Sequence, residues 1–186
     1  PDQRSWEQNA PSNAYPITQE VYLIGNTGFV GDQLSPAMLL LQKQLAHSGD
    51  RASIVFLGNY APKNGLPKKD DPKREAIEAK IDLQLSIIEG FEEQTYFIPG
   101  HFDWNAKKHK GSKGIERLED YIQEALDEKA FLPSDGCGEV KSKEVAEGVR
   151  IIFIDTEWWL YKWSADDNIN KGCDLKSRVE FINARS

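Results

Sequence analysis

Four short stretches carry the polar residues that could do chemistry: Gly25-Asn26-Thr27-Gly28, Gly58-Asn59-Tyr60, Gly100-His101-Phe102-Asp103 and Asp155-Thr156. Each follows an apolar run. In three of them a glycine stands immediately before a polar side chain. Glycine allows a sharp turn with positive φ and a close approach of backbones, so the next side chain projects from the end of its element. Asn, His and Asp offer oxygen and nitrogen donors. Three such turns on successive elements are the mark of a shared site. Asn is also a good turn residue, so the same residues could simply cap their turns.

The apolar runs are the elements that must position these residues. Residues 21–25 (VYLIG), 53–57 (SIVFL), 95–98 (TYFI) and 149–154 (VRIIFI) read as buried strands, with a weaker strand over 140–145 and a turn at Glu147-Gly148. Between them lie helical patterns. Ser35-Pro36 is an N-cap followed by proline at the first helical position, Ala37, Leu41 and Leu45 repeat at helical spacing, and Gly49 stops the helix. A second helix opens at Asp71-Pro72, carries Ile77, Ile81, Leu85 and Ile88 on one face, and ends at Gly90. A third starts near Gly114 with Ile115, Leu118, Ile122 and Leu126, and another begins near Asp174. Alternating strands and helices predict an α/β fold with a largely parallel sheet covered by helices on both faces. In such sheets ligands bind outside the carboxyl ends of the strands, where the four polar stretches fall.

With 186 residues the chain is long enough for one domain with a proper core. We divide it into an extended segment over 1–20 and an α/β domain over 21–186. The composition is that of a globular protein, 39 % hydrophobic and 28 % charged. The net charge of −7 argues against nucleic acid as a partner, and no apolar run is long enough to span a bilayer. Two cysteines, Cys137 and Cys173, lie in glycine-flanked loops without zinc-type spacing. They would be one staple in an oxidising compartment or two thiols in a reducing one.

The segments YLIGNTG (22–28), FLGNYAPKNGLP (56–67), FIPGHFDWN (97–105), FLPSDGC (131–137), IDTEWWL (154–160) and CDLKSR (173–178) together resemble calcineurin-like metallophosphoesterases, in the purple-acid-phosphatase-like branch with a Gly-Asp-x-Gly first motif. The resemblance covers most of the chain. It implies a four-layer α/β sandwich, of which the C-terminal half would be missing here, since the chain ends just after a helix begins. It also implies two divalent ions (Mn, Fe or Zn) about 3.5–4 Å apart that clamp a phosphate ester and activate a water.

Carried over by position, Asn26 stands where the first Asp ligand belongs. Asn59 stands at the bridging Asp, or next to it after a one-residue deletion. His101 falls at the Asn ligand with Phe102 at the catalytic His, or is itself that His with the Asn lost; Asp103 fits cleanly. His101 and Asp103 are thus the catalytic candidates, and Asn26, Asn59 and His101 the metal-ligand candidates. The family's later histidine ligands have no counterpart, because only His47 and His109 remain.

A bridging carboxylate offers two oxygens and a full charge to offset the repulsion of two cations, whereas an amide offers one neutral oxygen. The expectation is therefore a dismantled dinuclear site that binds no metal or one ion weakly, in a non-catalytic domain. The rival readings are an active phosphoesterase of altered or mononuclear metal use, acting on a phosphate ester and completed by a further C-terminal portion, and a phosphate- or nucleotide-binding α/β module. The resemblance also implies pairing of Cys137 with Cys173, which would favour a periplasmic or extracellular location.

Other residues near these turns allow two readings. Asp155 could donate a carboxylate or cap a loop, and Trp104 could wall a pocket or lid a turn. Trp158, Trp159 and Trp163 could stack a sugar or base, or pack over the sheet edge. Lys63, Lys68, Lys69, Lys107, Lys108, Lys110 and Lys113 could attract a phosphate or belong to solvated loops.

Overall fold

A computed structural model describes residues 16–27, 33–61, 65–104, 111–134 and 137–160. Strands β1 (Glu20–Ile24), β2 (Ala52–Phe56) and β3 (Thr95–Phe97) form a parallel sheet in the order β1-β2-β3, with Ile24 opposite Phe56 and Phe56 opposite Phe97. Helix α1 (Pro36–Ser48) connects β1 to β2, α2 (Arg74–Leu85) connects β2 to β3, and α3 (Gly111–Leu126) follows. The chain then forms a hairpin of β4 (Lys141–Ala146) and β5 (Val149–Phe153) and a short helix, α4 (Thr156–Leu160).

The local signals act where the sequence places them. Ser35 Oγ accepts from Met38 N at 3.2 Å, with Pro36 as the first helical residue, and Gly49 takes φ 54° to end α1. Helix α2 begins at Arg74, because Asp71 Oδ1 accepts from Lys73 N in a turn that precedes it. Gly90, at φ 85°, follows the 3-10 turn Ser86–Ile88 that continues α2.

Side chains of β2 alternate between two clusters. Ile54 and Phe56 join Met38, Leu41 and Leu45 of α1, Ile77 and Ile81 of α2, and Ile115, Leu118 and Ile122 of α3 in the main core. Phe56 and Phe97 stack at 4.7 Å. Val55 points the other way, into a small cluster with Leu132 and Phe153.

Two sequence expectations are corrected here. Among the described residues the helices α1, α2 and α3 pack on one face of the sheet. Successive strands added in one direction by right-handed crossovers put their helices on one side, and the main core lies there. On the opposite face β5 packs against β3, with Phe153 5.3 Å from Tyr96, and Leu23 of β1 is left 64 % exposed. Nor does the apolar run over 149–154 join the parallel sheet. A two-residue turn at Glu147-Gly148, with Gly148 at φ 74°, can only return the chain antiparallel, and β5 pairs with β4 in a separate sheet. The outer edge of β3 is met by the segment around Phe131: Phe97 N donates to Ala130 O at 2.9 Å and Leu132 N to Phe97 O at 2.8 Å. The helix expected from Asp174 lies outside the described residues.

Candidate functional site

The turns after β1, β2 and β3 meet at one rim, as their spacing predicted. Asn26 N donates to Gly58 O at 3.0 Å, which continues the β1–β2 ladder into the turns. Gly58 has φ 91°, and a Cβ there would lie 2.4 Å from Gly100 N. The second and third turns are therefore in direct backbone contact, which only glycine permits at this position. Asn26 and Asn59 both take positive φ, 61° and 64°, the left-handed conformation that Asn tolerates better than most residues.

These two amides are bonded to each other: Asn59 Nδ2 donates to Asn26 Oδ1 at 3.3 Å. Asn59 Oδ1 accepts from Phe102 N at 3.0 Å. Both side-chain oxygens thus have protein donors, and together they tie the three turns into a single surface.

Asp103 is brought to the same turns but faces inward. It is fully buried. Its Oδ2 accepts from Asn59 N at 2.6 Å and from Gly100 N at 2.9 Å, and its Oδ1 from Tyr60 N at 3.1 Å. Burial pushes this carboxyl up to about 6, against the opposing pull of the backbone amides. Behind it, the Tyr60 hydroxyl fills the point where β2 and β3 separate, accepting from Gly58 N at 3.0 Å and Ile98 N at 3.1 Å and donating to a facing carbonyl, Ile98 O at 2.7 Å or Phe56 O at 2.8 Å. Burial, reinforced by the Asp103 charge, raises the Tyr60 pKa well above its ordinary value. Gln84 of α2 donates from Nε2 to Tyr60 O at 3.2 Å and pairs through Oε1 with the Thr27 hydroxyl, locking the first turn to the second.

Asp155 is the second buried carboxyl. It accepts from Trp104 Nε1 at 2.8 Å and from Trp158 N at 3.0 Å, and burial raises it to about 7. It therefore ties the start of α4 to the third turn. Trp158 is in the core, packed edge-on to Trp159 at 5.1 Å and over Gly138, where a Cβ would fall 1.8 Å from the indole ring. Trp163 lies outside the described residues, as do Lys63, Lys107, Lys108 and Lys110; Lys68, Lys69 and Lys113 are exposed. The Cys137–Cys173 pair also lies outside, because Cys173 does.

His101 remains on the open side of the rim. Its ring is 52 % exposed, and Nδ1 lies 2.7 Å from Oε1 of Glu157 on α4. Glu157 is the site residue that sequence reasoning missed. It stands 56 positions from His101, and no local spacing signals the pair.

The donor set does not fit a pair of divalent ions. The oxygens of Asn26 and Asn59 are neutral and already hydrogen-bonded, Asp103 is spent on backbone amides, and Glu157 is paired with His101. Among the described residues no group of three or more His, Cys, Asp or Glu side chains is placed to hold a metal ion. The rim can instead present hydrogen-bonding amides and one imidazole–carboxylate pair to solvent. The chain matches no family model, no curated protein and no solved structure. No helix among the described residues is long and apolar enough to cross a membrane.

Proposed function

We propose that the protein is a calcineurin-like metallophosphoesterase scaffold, built on that family's α/β sandwich, whose rim no longer holds paired metal ions and which acts as a non-catalytic module. The observation that carries this reading is the Asn26–Asn59 hydrogen bond across the place where two acidic ligands would have to meet two cations. The physical support is charge: replacing two carboxylates by amides removes two negative charges from the immediate surroundings of +4, and affinity for hard cations depends on ligand count and charge. The test is metal titration of the native chain and of the N26D/N59D double variant with Mn²⁺ and Zn²⁺ by calorimetry. The native chain is expected to bind neither ion stoichiometrically at the rim, and the double variant to gain affinity. Two equivalents bound by the native chain would end this reading, and no gain in the double variant would show the alignment of the motifs to be wrong.

The His101–Glu157 pair favours a second reading, an active phosphoesterase using one metal ion or none. Imidazole held at Nδ1 by a carboxylate has its Nε2 available as base or ligand. Hydrolysis of bis-p-nitrophenyl phosphate by the native chain that is abolished in H101Q would establish it over the non-catalytic one.

A further inference from the structure

A cavity of about 440 Å³ opens between the start of α2 and α3, and it shares no lining residue with the rim. Its volume lies within the range of small-molecule sites. Its innermost charge is Arg74, only 5 % exposed. Arg74 Nε bonds Glu78 Oε1 at 2.6 Å, Nη1 donates to Pro67 O at 2.5 Å, and the guanidinium carbon lies 5.6 Å from the centre of the Tyr121 ring. One turn before Tyr121, Arg117 donates from Nε to Leu66 O at 2.8 Å. Two consecutive loop carbonyls thus fix the two arginines.

Arg117 has no ion-pair partner among the described residues, and it is partly buried. Desolvation, with the Arg74 charge second, lowers its pKa. Two guanidinium groups therefore line one cavity with a single carboxylate bonded to them. A partly desolvated guanidinium beside a second one is stabilised by an oxyanion able to take its remaining N–H groups in pairs. A plain anion is not the whole answer, because the same cavity is lined by Asp120 and Glu124, exposed and without ion-pair partners among the described residues. Lys69 adds a further cation at the mouth.

The geometry points to a binding site for a small zwitterion, with an oxyanion head against Arg117 and Arg74, an ammonium group toward Asp120 and Glu124, and the Tyr121 ring as the wall between them. Carboxylate and phosphate heads share this chemistry, and the test separates them.

The full chain is titrated at low ionic strength with O-phosphoethanolamine and β-alanine, and with inorganic phosphate and ethylamine as controls that carry charge of one sign. At least one zwitterion is expected to bind about tenfold or more tightly than either control, the tighter of the two identifying the head group. R117A is expected to weaken that binding about tenfold or more. Arg117 also holds the loop at Leu66, so the D120K/E124K variant, altered only at exposed positions, supplies an independent readout: its preference should reverse toward inorganic phosphate. Saturation by neither zwitterion, inorganic phosphate as the tighter ligand of the native chain, or binding unchanged in D120K/E124K would each overturn the assignment.

Discussion

Asp103→Asn isolates what the buried carboxylate beneath the rim does to stability. Two effects oppose each other at Asp103. Hydrogen bonds from Asn59, Tyr60 and Gly100 favour the charged form, while complete burial disfavours it. Burial wins, lifting the group from its ordinary 3.8 to about 6. At about 1.4 kcal/mol per pH unit this corresponds to about 3 kcal/mol. The folded state then holds its proton more tightly than the unfolded chain, so the stabilisation is complete below about pH 4 and is lost as pH rises through about 6. Asparagine does not titrate. The free-energy difference between native and D103N proteins should therefore shrink by about 2.5 kcal/mol between pH 4 and pH 7.5. Urea denaturation of both proteins across that range measures it, and the carboxylates common to both cancel in the difference. A constant difference would refute the raised pKa. A difference that grows with pH would show that the backbone amides outweigh burial.

Three further outcomes follow from the same geometry. Gly58→Ala puts a methyl group 2.4 Å from Gly100 N at φ 91°, so it should cost roughly 2–4 kcal/mol and lower the melting temperature by on the order of 10 °C; a loss under about 1 kcal/mol would mean that the turns are not in contact. Trp104→Phe removes the indole donor to Asp155, which stabilises the charged carboxylate; the loss, about 1–3 kcal/mol, should be larger at pH 8 than at pH 5 because the group titrates near 7, and equal losses at the two pH values would count against that titration. For the proposed pairing of Cys137 with Cys173, a thiol reagent should find no reactive thiol in the unfolded chain before reduction and two after; equal counts would refute the bridge.

The parts of the fold legible in the sequence are those governed by local chemistry. Ser35 and Pro36 announce the start of α1 because capping and a fixed φ act within one turn. The glycines at 58 and 100 announce the rim because a close approach of backbones excludes a Cβ. The placement of β5 was misread for the opposite reason. An apolar run of β-branched residues suits a buried parallel strand and a hairpin strand packed on a sheet face equally well, and only the Glu147-Gly148 turn decides between them. The inward aim of Asp103 was not legible either. Sequence places it at the third turn, but its direction depends on amides supplied by the second turn, more than forty residues away. Glu157 stayed hidden for the same reason, since its pairing with His101 exists only once α4 is docked through Asp155.

The rim turns are held together by the protein's own dipoles, and this bears on whether they need a metal ion for their shape. In a metal-centred site the ligands converge because a cation draws them together. Here each turn already has an internal bond to the next: Asn26 N to Gly58 O, Asn59 Oδ1 to Phe102 N, and the Asp103 carboxylate to amides of the second and third turns. Thr27 and Gln84 fasten the first turn to α2, and Trp104 with Asp155 fastens the third to α4. A surface cross-linked in this way keeps its geometry without a bound ion. Its two buried carboxylates serve as acceptors for N–H groups that would otherwise be buried without partners. Of the side chains left at the rim, the two amides belong to these cross-links, and the half-exposed imidazole of His101, held by Glu157, is the one placed to contact a ligand or partner without loosening the turns.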